Sequence, residues 1–253
     1  MTRRRFYAAP TAFDHKHNTV TLVADEVRHL REVLRLKAGD EVYVFNGEGK
    51  EFLGRIEESR RDTALLRIIR EIEPARPDSP LQLTLALALL KGEKFDLVVQ
   101  KATELGVIRI VPVITKHADI RLRDESDAAK RVTRWQRIAM EAAKQSGRAV
   151  VPEVAGAVTF ASLIQSAGKD EGGTCLMFSE RDGEPLLRTT ELIAPNSKLT
   201  ALVGSEGGWS DEEIAAARAA AWNVVTLGGR TLRAETAAIA VTALLQHLFG
   251  DLI

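Results

Sequence analysis

The chain is 253 residues long, 45% hydrophobic and 28% charged, enough for a large core and one large or two unequal domains, and inconsistent with disorder. Its 35 basic and 35 acidic residues balance, which excludes a strongly polycationic binder and leaves local basic patches open. A lone cysteine, Cys175, excludes an intrachain disulfide or thiolate cluster.

In chain order, Met1-Thr2-Arg3-Arg4-Arg5 is basic with no apolar h-region behind it, so no signal peptide is expected. Phe6-Tyr7 can enter a core or stack on a base. His15-x-His17 lacks a supporting acid or thiol cluster, and no metal site is expected. A short helix is predicted from Asp25 as N-cap through Leu30, Val33 and Leu34 to Gly39, carrying Arg31 and Arg35, with Lys37 beside it. Alternation at Val42 and Val44, the turn Asn46-Gly47-Glu48-Gly49, and Phe52, Gly54 and Ile56 predict a hairpin, and Leu65–Ile69 another strand. Three prolines in Glu73–Pro80 mark a boundary. The division is a β-rich domain over 1–73, a linker over 74–80 and an α/β domain over 81–253.

Behind the linker, strands and helices alternate. Strands are predicted at Leu81–Leu90, Ile108–Ile114, Thr174–Phe178, Leu199–Val203 and Val224–Leu227, and helices at Lys94–Leu105, Ala128–Gln145, after the capping box Ser210-Asp211-Glu212-Glu213, and from about Glu235 to Phe249. This pattern implies a mostly parallel sheet covered on both faces. The last helix has almost no polar face and must be buried on all sides, against a second copy in a homodimer or, as the alternative, by its own domain. The purest apolar run, Leu85–Leu90, is too short to span a bilayer, so a cytoplasmic protein without membrane contact is expected.

Two glycine loops each leave an apolar run and enter a helix: Leu202-Val203-Gly204-Ser205-Glu206-Gly207-Gly208 and Leu227-Gly228-Gly229-Arg230-Thr231-Leu232-Arg233-Ala234-Glu235-Thr236-Ala237. Such loops bring backbone groups close to a ligand beyond the carboxyl ends of strands. The spacing is not that of a dinucleotide fingerprint, no lysine follows Gly208 as in a phosphate loop, and Glu206 repels phosphate. A ligand with a hydrogen-bonding base and a positive centre fits better, S-adenosylmethionine being the commonest.

Those two blocks, with Lys91-Gly92-Glu93-Lys94, Gln100–Gly106, Arg134-Trp135, Ala142–Arg148, Val151-Pro152-Glu153 and, in front, His29-Leu30, Val33-Leu34-Arg35 and Gly39-Asp40, resemble the RsmE family of SPOUT-class ribosomal RNA methyltransferases along nearly the whole chain. The resemblance implies an α/β protein with a small N-terminal PUA-like β-barrel that binds RNA and a C-terminal SPOUT domain ending in a trefoil knot. It also implies S-adenosylmethionine as cofactor, a homodimer, and methylation of uridine N3 in the decoding region of 16S rRNA in the small ribosomal subunit. Carried over by position, Leu202, Gly204, Glu206, Gly207, Gly208, Leu227, Gly228, Leu232, Arg233 and Ala237 line the cofactor pocket. Ser205, Gly229 and Ala234 depart from the family pattern, where proline, proline or serine, and threonine are common.

Uridine N3 becomes nucleophilic only as its proton leaves. Glu235 is the candidate proton acceptor, with Arg233 or Arg230 stabilising the pyrimidine anion. Cys175, in an apolar strand, is a poor nucleophile. RNA contacts are expected from Arg3, Arg4, Arg5, Arg31, Arg35, Lys37, Lys91, Lys94, Gln145 and Arg148. The alternatives are a non-catalytic RNA- or ribosome-binding factor, a SPOUT methyltransferase with another RNA target, and a nucleotide-binding enzyme.

Overall fold

The computed structural model describes residues 3–118, 124–167, 173–189, 193 and 197–252, so the Met1-Thr2 start of the basic tail lies outside the described residues. The chain divides into two compact units, Met1–Asp78 with Met140–Val151, and Ser79–Ala139 with Pro152–Ile253. The first therefore draws in a twelve-residue segment from far along the chain.

The first unit holds β1 (Arg5–Tyr7), β2 (Phe13–Asp14), β3 (Thr19–Val23), β4 (Glu41–Phe45), β5 (Glu51–Ser59) and β6 (Thr63–Ile72) in one sheet of order β1-β4-β5-β6-β3-β2. β1 runs parallel to β4 and the other pairs are antiparallel. Alternation puts Val42 and Val44 inward with Phe6, Leu22, Val27, Leu30, Ile56 and Leu66. Register shifts at Leu53/Gly54 and Ile56/Glu58 bend β5 over that core.

The predicted front helix differs in both ends. α1 spans Ala24–Arg28 with Val23 at its N-cap; Asp25 lies in the first turn and pairs with Arg28 at 3.0 Å. A π-helical turn, His29–Val33, follows, and Arg35 then takes a φ of 54°. That left-handed residue ends the helix before Gly39, because Leu36 must turn inward to bury its side chain and donate its N–H to the Leu30 carbonyl at 3.0 Å.

Arg5 joins the distant segment to the sheet. Its guanidinium meets Glu51 at 3.1 and 3.3 Å and donates to the carbonyls of Ala143, Lys144 and Arg148, lying over the Phe45 ring. Glu51 is fully buried and also accepts from the Ala75 N–H. Arg148 is likewise buried, its Nε 2.6 Å from Asp78. Two arginines read from the sequence as RNA contacts are thus interior groups with partners, as buried charges must be.

The second unit carries an eight-stranded sheet, all pairs parallel, with β7 (Gln82–Ala88), β8 (Arg109–Ile114), β9 (Glu153–Val154), β10 (Val158–Thr159), β11 (Thr174–Phe178), β12 (Glu184–Pro185), β13 (Lys198–Val203) and β14 (Asn223–Thr226). Its order is β10-β8-β7-β13-β11-β14-β12, with β9 against β8. The largely apolar β7, β11 and β13, interrupted only at Thr84 and Thr200 past their first residues, follow from burial of both faces. Around the sheet lie α2 (Lys94–Glu104), α3 (Glu125–Ser146), α4 (Phe160–Ala167), α5 (Asp211–Ala219) and α6 (Ala234–Phe249); the last turns of α3 belong to the first unit. α5 has the expected capping box, Ser210 accepting from the Glu213 N–H and Glu213 returning the bond. Trp135 packs on Phe95 with its Nε1 donating to Asp96. Within α6, Ala238, Val241 and Leu245 are buried, but Leu244 remains 40% exposed, so this unit alone does not bury the helix on all sides. Among the described residues no helix is long and apolar enough to cross a membrane.

Candidate active site

β13, β11 and β14 are adjacent and parallel, so their carboxyl ends open side by side, where helix and strand termini leave backbone groups free for a ligand. The loop after β13 is the first glycine loop, the loop after β14 the second, and Phe178-Ser179-Glu180 leaves β11 between them. Together they line a cavity of about 400 Å³ with Gly204, Glu206, Gly207, Gly208, Leu227, Gly228, Arg230, Leu232, Arg233 and Ala237 in its wall. Leu202, the remaining residue expected there, faces the core beside Trp209 and Ile214, since strand residues alternate faces and its neighbour Val203 takes the cavity side.

Close packing explains the glycines. A Cβ on Gly204 would meet the Trp209 ring at 3.0 Å, and Trp209 is itself fixed by its Nε1 donating to the Phe178 carbonyl at 2.8 Å. At Gly208 the φ of 64° favours glycine, and any Cβ would displace a Glu180 carboxylate oxygen 2.6 Å away. Gly207 packs against His117, a residue the sequence reading missed. His117 Nδ1 lies 3.1 Å from the Gly207 carbonyl, and Ser205 Oγ donates to the His117 carbonyl at 3.1 Å. The hydroxyl therefore ties the first loop to the segment after β8, at the position where the family pattern carries proline.

Arg233 is the N-cap of α6 with an exposed side chain. Glu235, the second residue of the helix, has a side chain only 14% exposed, and its Oε2 is buried without a hydrogen bond. Its cationic neighbour is Lys94, whose Nζ lies 3.6 Å from Glu235 Oε2 and 2.8 Å from Glu206 Oε1. Lys94 thus links both glycine loops through two carboxylates. The hydrogen bond to Glu206 raises the Lys94 pKa. Burial pushes the Glu206 carboxyl up, but the Lys94 bond and charge together with backbone N–H donors hold it below its ordinary value.

The remaining RNA candidates are dispersed. Lys91 and Gln145 are exposed. In the first unit Arg4, Arg31, Arg35 and Lys37 are exposed, while Arg3 donates to the Glu73 carbonyl and lies over Tyr43. His17 bonds Asp14, and among the described residues no acid, histidine or cysteine group forms a metal cluster.

Comparison with known proteins accords with this arrangement. The RNA methyltransferase domain model matches residues 77–246, and the RNA methyltransferase PUA domain model matches 24–69. The chain belongs to the RNA methyltransferase family. Within that family it is 33% identical over 234 residues to ribosomal RNA small subunit methyltransferase E of Synechocystis, covering 91% of this chain and 73% of that one. It is 31% identical to the Rickettsia conorii protein of the same name, covering 92% and 91%. Among solved structures it resembles ribosomal RNA small subunit methyltransferase E of Neisseria gonorrhoeae bound to S-adenosylmethionine, at 34% identity and a TM-score of 0.86 over the whole of both chains. A Legionella pneumophila structure with the same cofactor bound gives 31% and 0.87 over 99% of this chain and 100% of that one. Membership makes the two-loop cavity the cofactor-binding candidate of a methyltransferase fold.

Proposed function

We propose that this RNA methyltransferase uses S-adenosylmethionine to methylate N3 of a uridine in the decoding region of 16S rRNA. The observation that carries the reading is the cavity itself: two glycine loops at adjacent strand ends and Arg230 and Arg233 at its wall, with Glu235, paired to Lys94, next in sequence to its lining residue Ala234. The cavity suits the cofactor, since glycine backbone walls admit a base, Glu206 offers negative charge to a sulfonium, and Leu227, Leu232 and Ala237 supply apolar surface. The cofactor supplies an electrophilic methyl group when bound.

The chain's residues do the rest. Glu235 accepts the N3 proton at its Oε2, which makes no hydrogen bond within the chain. Lys94 balances the two carboxylates so that neither is left as an isolated charge. Arg233, with Arg230, stabilises the negative charge that spreads onto the pyrimidine carbonyl oxygens as the proton leaves. Among the RNA candidates, Arg3, Arg4, Arg31, Arg35, Lys37, Lys91 and Gln145 are the proposed contacts, and Arg5, Arg148 and Lys94 are assigned to the framework and the site.

The same reading includes a knotted C-terminal segment, a closed PUA-like barrel, a homodimer and a cytoplasmic location. Exposed Leu97 on α2 and Leu244 on α6 lie on helices that pack together and offer an apolar face for a second copy. The test is transfer of tritiated methyl to isolated small subunits and to free 16S rRNA, followed by mapping of the modified base. Glu235→Gln is expected to lose about 10²- to 10⁴-fold in rate with cofactor binding intact by calorimetry. Transfer at full rate removes Glu235 from the mechanism, and saturable RNA binding without transfer by the wild type favours a non-catalytic factor.

A further inference from the structure

The first glycine loop is held from two sides. On one, Lys94 at the start of α2 donates to the Glu206 carboxylate at 2.8 Å. On the other, the segment that leaves β8 lies along the loop and the start of α5. The Lys116 N–H donates to Glu213 Oε1 at 2.9 Å, Lys116 Nζ meets Glu212 Oε2 at 3.1 Å, and the His117 carbonyl accepts from Ser205 Oγ at 3.1 Å. The His117 ring adds a contact of its own, its Nδ1 standing 3.1 Å from the Gly207 carbonyl.

That contact fixes the ring. A carbonyl oxygen has no proton to give, so Nδ1 is the protonated nitrogen, whether the imidazole is neutral or charged. The peptide it grips is held at its other end as well, because the Gly208 N–H donates to the Ser205 carbonyl at 3.0 Å. The approach is close: a Cβ on Gly207 would lie 2.7 Å from His117 Cβ. Unlike Gly208, Gly207 does not take a left-handed φ, so its missing side chain answers to His117 and not to the turn. His117 itself is not part of the cofactor cavity wall; it acts from behind the loop.

We infer that His117 is a positioning residue that sets the preference of the cavity for the charged cofactor. Its grip on the Gly207 carbonyl fixes the turn on which Glu206 stands, and with it the place of the Glu206 carboxylate relative to a bound sulfonium. The attraction between two charges falls as they separate, whereas the contacts to the adenosine part serve the cofactor and its demethylated product alike. Loosening the loop therefore costs S-adenosylmethionine more than S-adenosylhomocysteine, whose sulfur is neutral. The inference rests on the reading of Glu206 as the carboxylate that faces the sulfonium.

Calorimetry of the full chain with each of the two compounds tests it, on wild type, His117→Ala, His117→Asn and His117→Gln. Asparagine carries an amide N–H where histidine has Nδ1, while glutamine carries its amide further out, in the place of Nε2. His117→Ala is expected to weaken S-adenosylmethionine about 3- to 10-fold, the worth of one hydrogen bond, and to leave S-adenosylhomocysteine at its wild-type affinity. His117→Asn restores the preference and His117→Gln does not. In methyl transfer to small subunits, the KM for S-adenosylmethionine rises in His117→Ala while kcat at saturating cofactor holds. Unchanged S-adenosylmethionine affinity in His117→Ala, or an asparagine variant no better than alanine, overturns the proposal. So does an equal loss for both compounds, the mark of a brace with no bearing on charge. Glu206→Gln tests the premise separately: an undiminished preference for S-adenosylmethionine there removes Glu206 from the sulfonium, and the inference with it. A wild type that binds neither compound sinks the cofactor reading itself.

Discussion

Replacing Arg5 by alanine tests whether this arginine is interior framework or substrate contact. The substitution removes the buried cation beside a fully buried carboxylate, Glu51, which keeps only Arg3 at 3.4 Å and the Ala75 N–H, and takes one donor from each of the carbonyls of Ala143, Lys144 and Arg148. Breaking a buried pair by deleting one member costs about 3–5 kcal/mol, because the remaining buried charge loses its main compensation. The lost carbonyl bonds are not added on top, since such contributions overlap within one network. At about 4 kcal/mol, and 1.4 kcal/mol per tenfold, local opening of the first unit becomes roughly 10³-fold more frequent. Native-state hydrogen exchange reads this directly. The Gly49 amide, donating to the Ala149 carbonyl, and the Val151 amide, donating to the Gly47 carbonyl, report attachment of the distant segment. Both are expected to lose about three decades of protection in Arg5→Ala. Arg5→Met with Glu51→Gln should lose far less, because no bare charge remains. Protection within tenfold of wild type in Arg5→Ala, together with weakened rRNA binding, would refute the framework assignment.

Two further outcomes concern the first glycine loop. Ser205→Ala deletes the bond to the His117 carbonyl and is expected to weaken S-adenosylmethionine binding about 3- to 10-fold, the worth of one hydrogen bond; unchanged affinity in calorimetry would mean that the loop needs no such tie. The Glu206 carboxyl is held below its ordinary value of 4.5 in the folded chain. A depressed folded pKa means its contribution is complete above about 4.5 and is lost as pH falls through the lower folded value. Thermal stability of wild type minus that of Glu206→Gln should therefore be constant toward neutral pH and shrink below about pH 4.5, and a difference independent of pH would contradict the Lys94–Glu206 link.

Much of the second unit was legible because its signals are local and physical. Strands buried on both faces read as largely apolar runs, and Ser210 with Glu213 declared a helix start three residues apart. The two glycine loops marked the cavity for the same reason, since close backbone approach demands glycine wherever the chain lies. The sequence reading lacked long-range partners. Arg5 and Arg148 look like any exposed arginines until Glu51 and Asp78 are found beside them, 46 and 70 residues away. Asp25 has the chemistry of an N-cap, but β3 runs one residue short of it and Val23 takes that place. His117 carries no motif; only the packing of Gly207 against it reveals its part. Lys94 was visible as a cation, and its role between two carboxylates was not, because Glu206 stands 112 residues further on.

The guanidinium of Arg5 also imposes an order in time. Its carbonyl acceptor on Ala143 lies 138 residues downstream, and ribosomes add about 5–20 residues per second. A nascent chain therefore carries a finished β1 and a charged, half-built interior for roughly 7–28 s before the segment that completes it is synthesised. The first unit cannot be completed early as a fragment ending at Asp78. Its closure waits on residues made after the first strands of the second unit, so the two units mature together rather than one after the other.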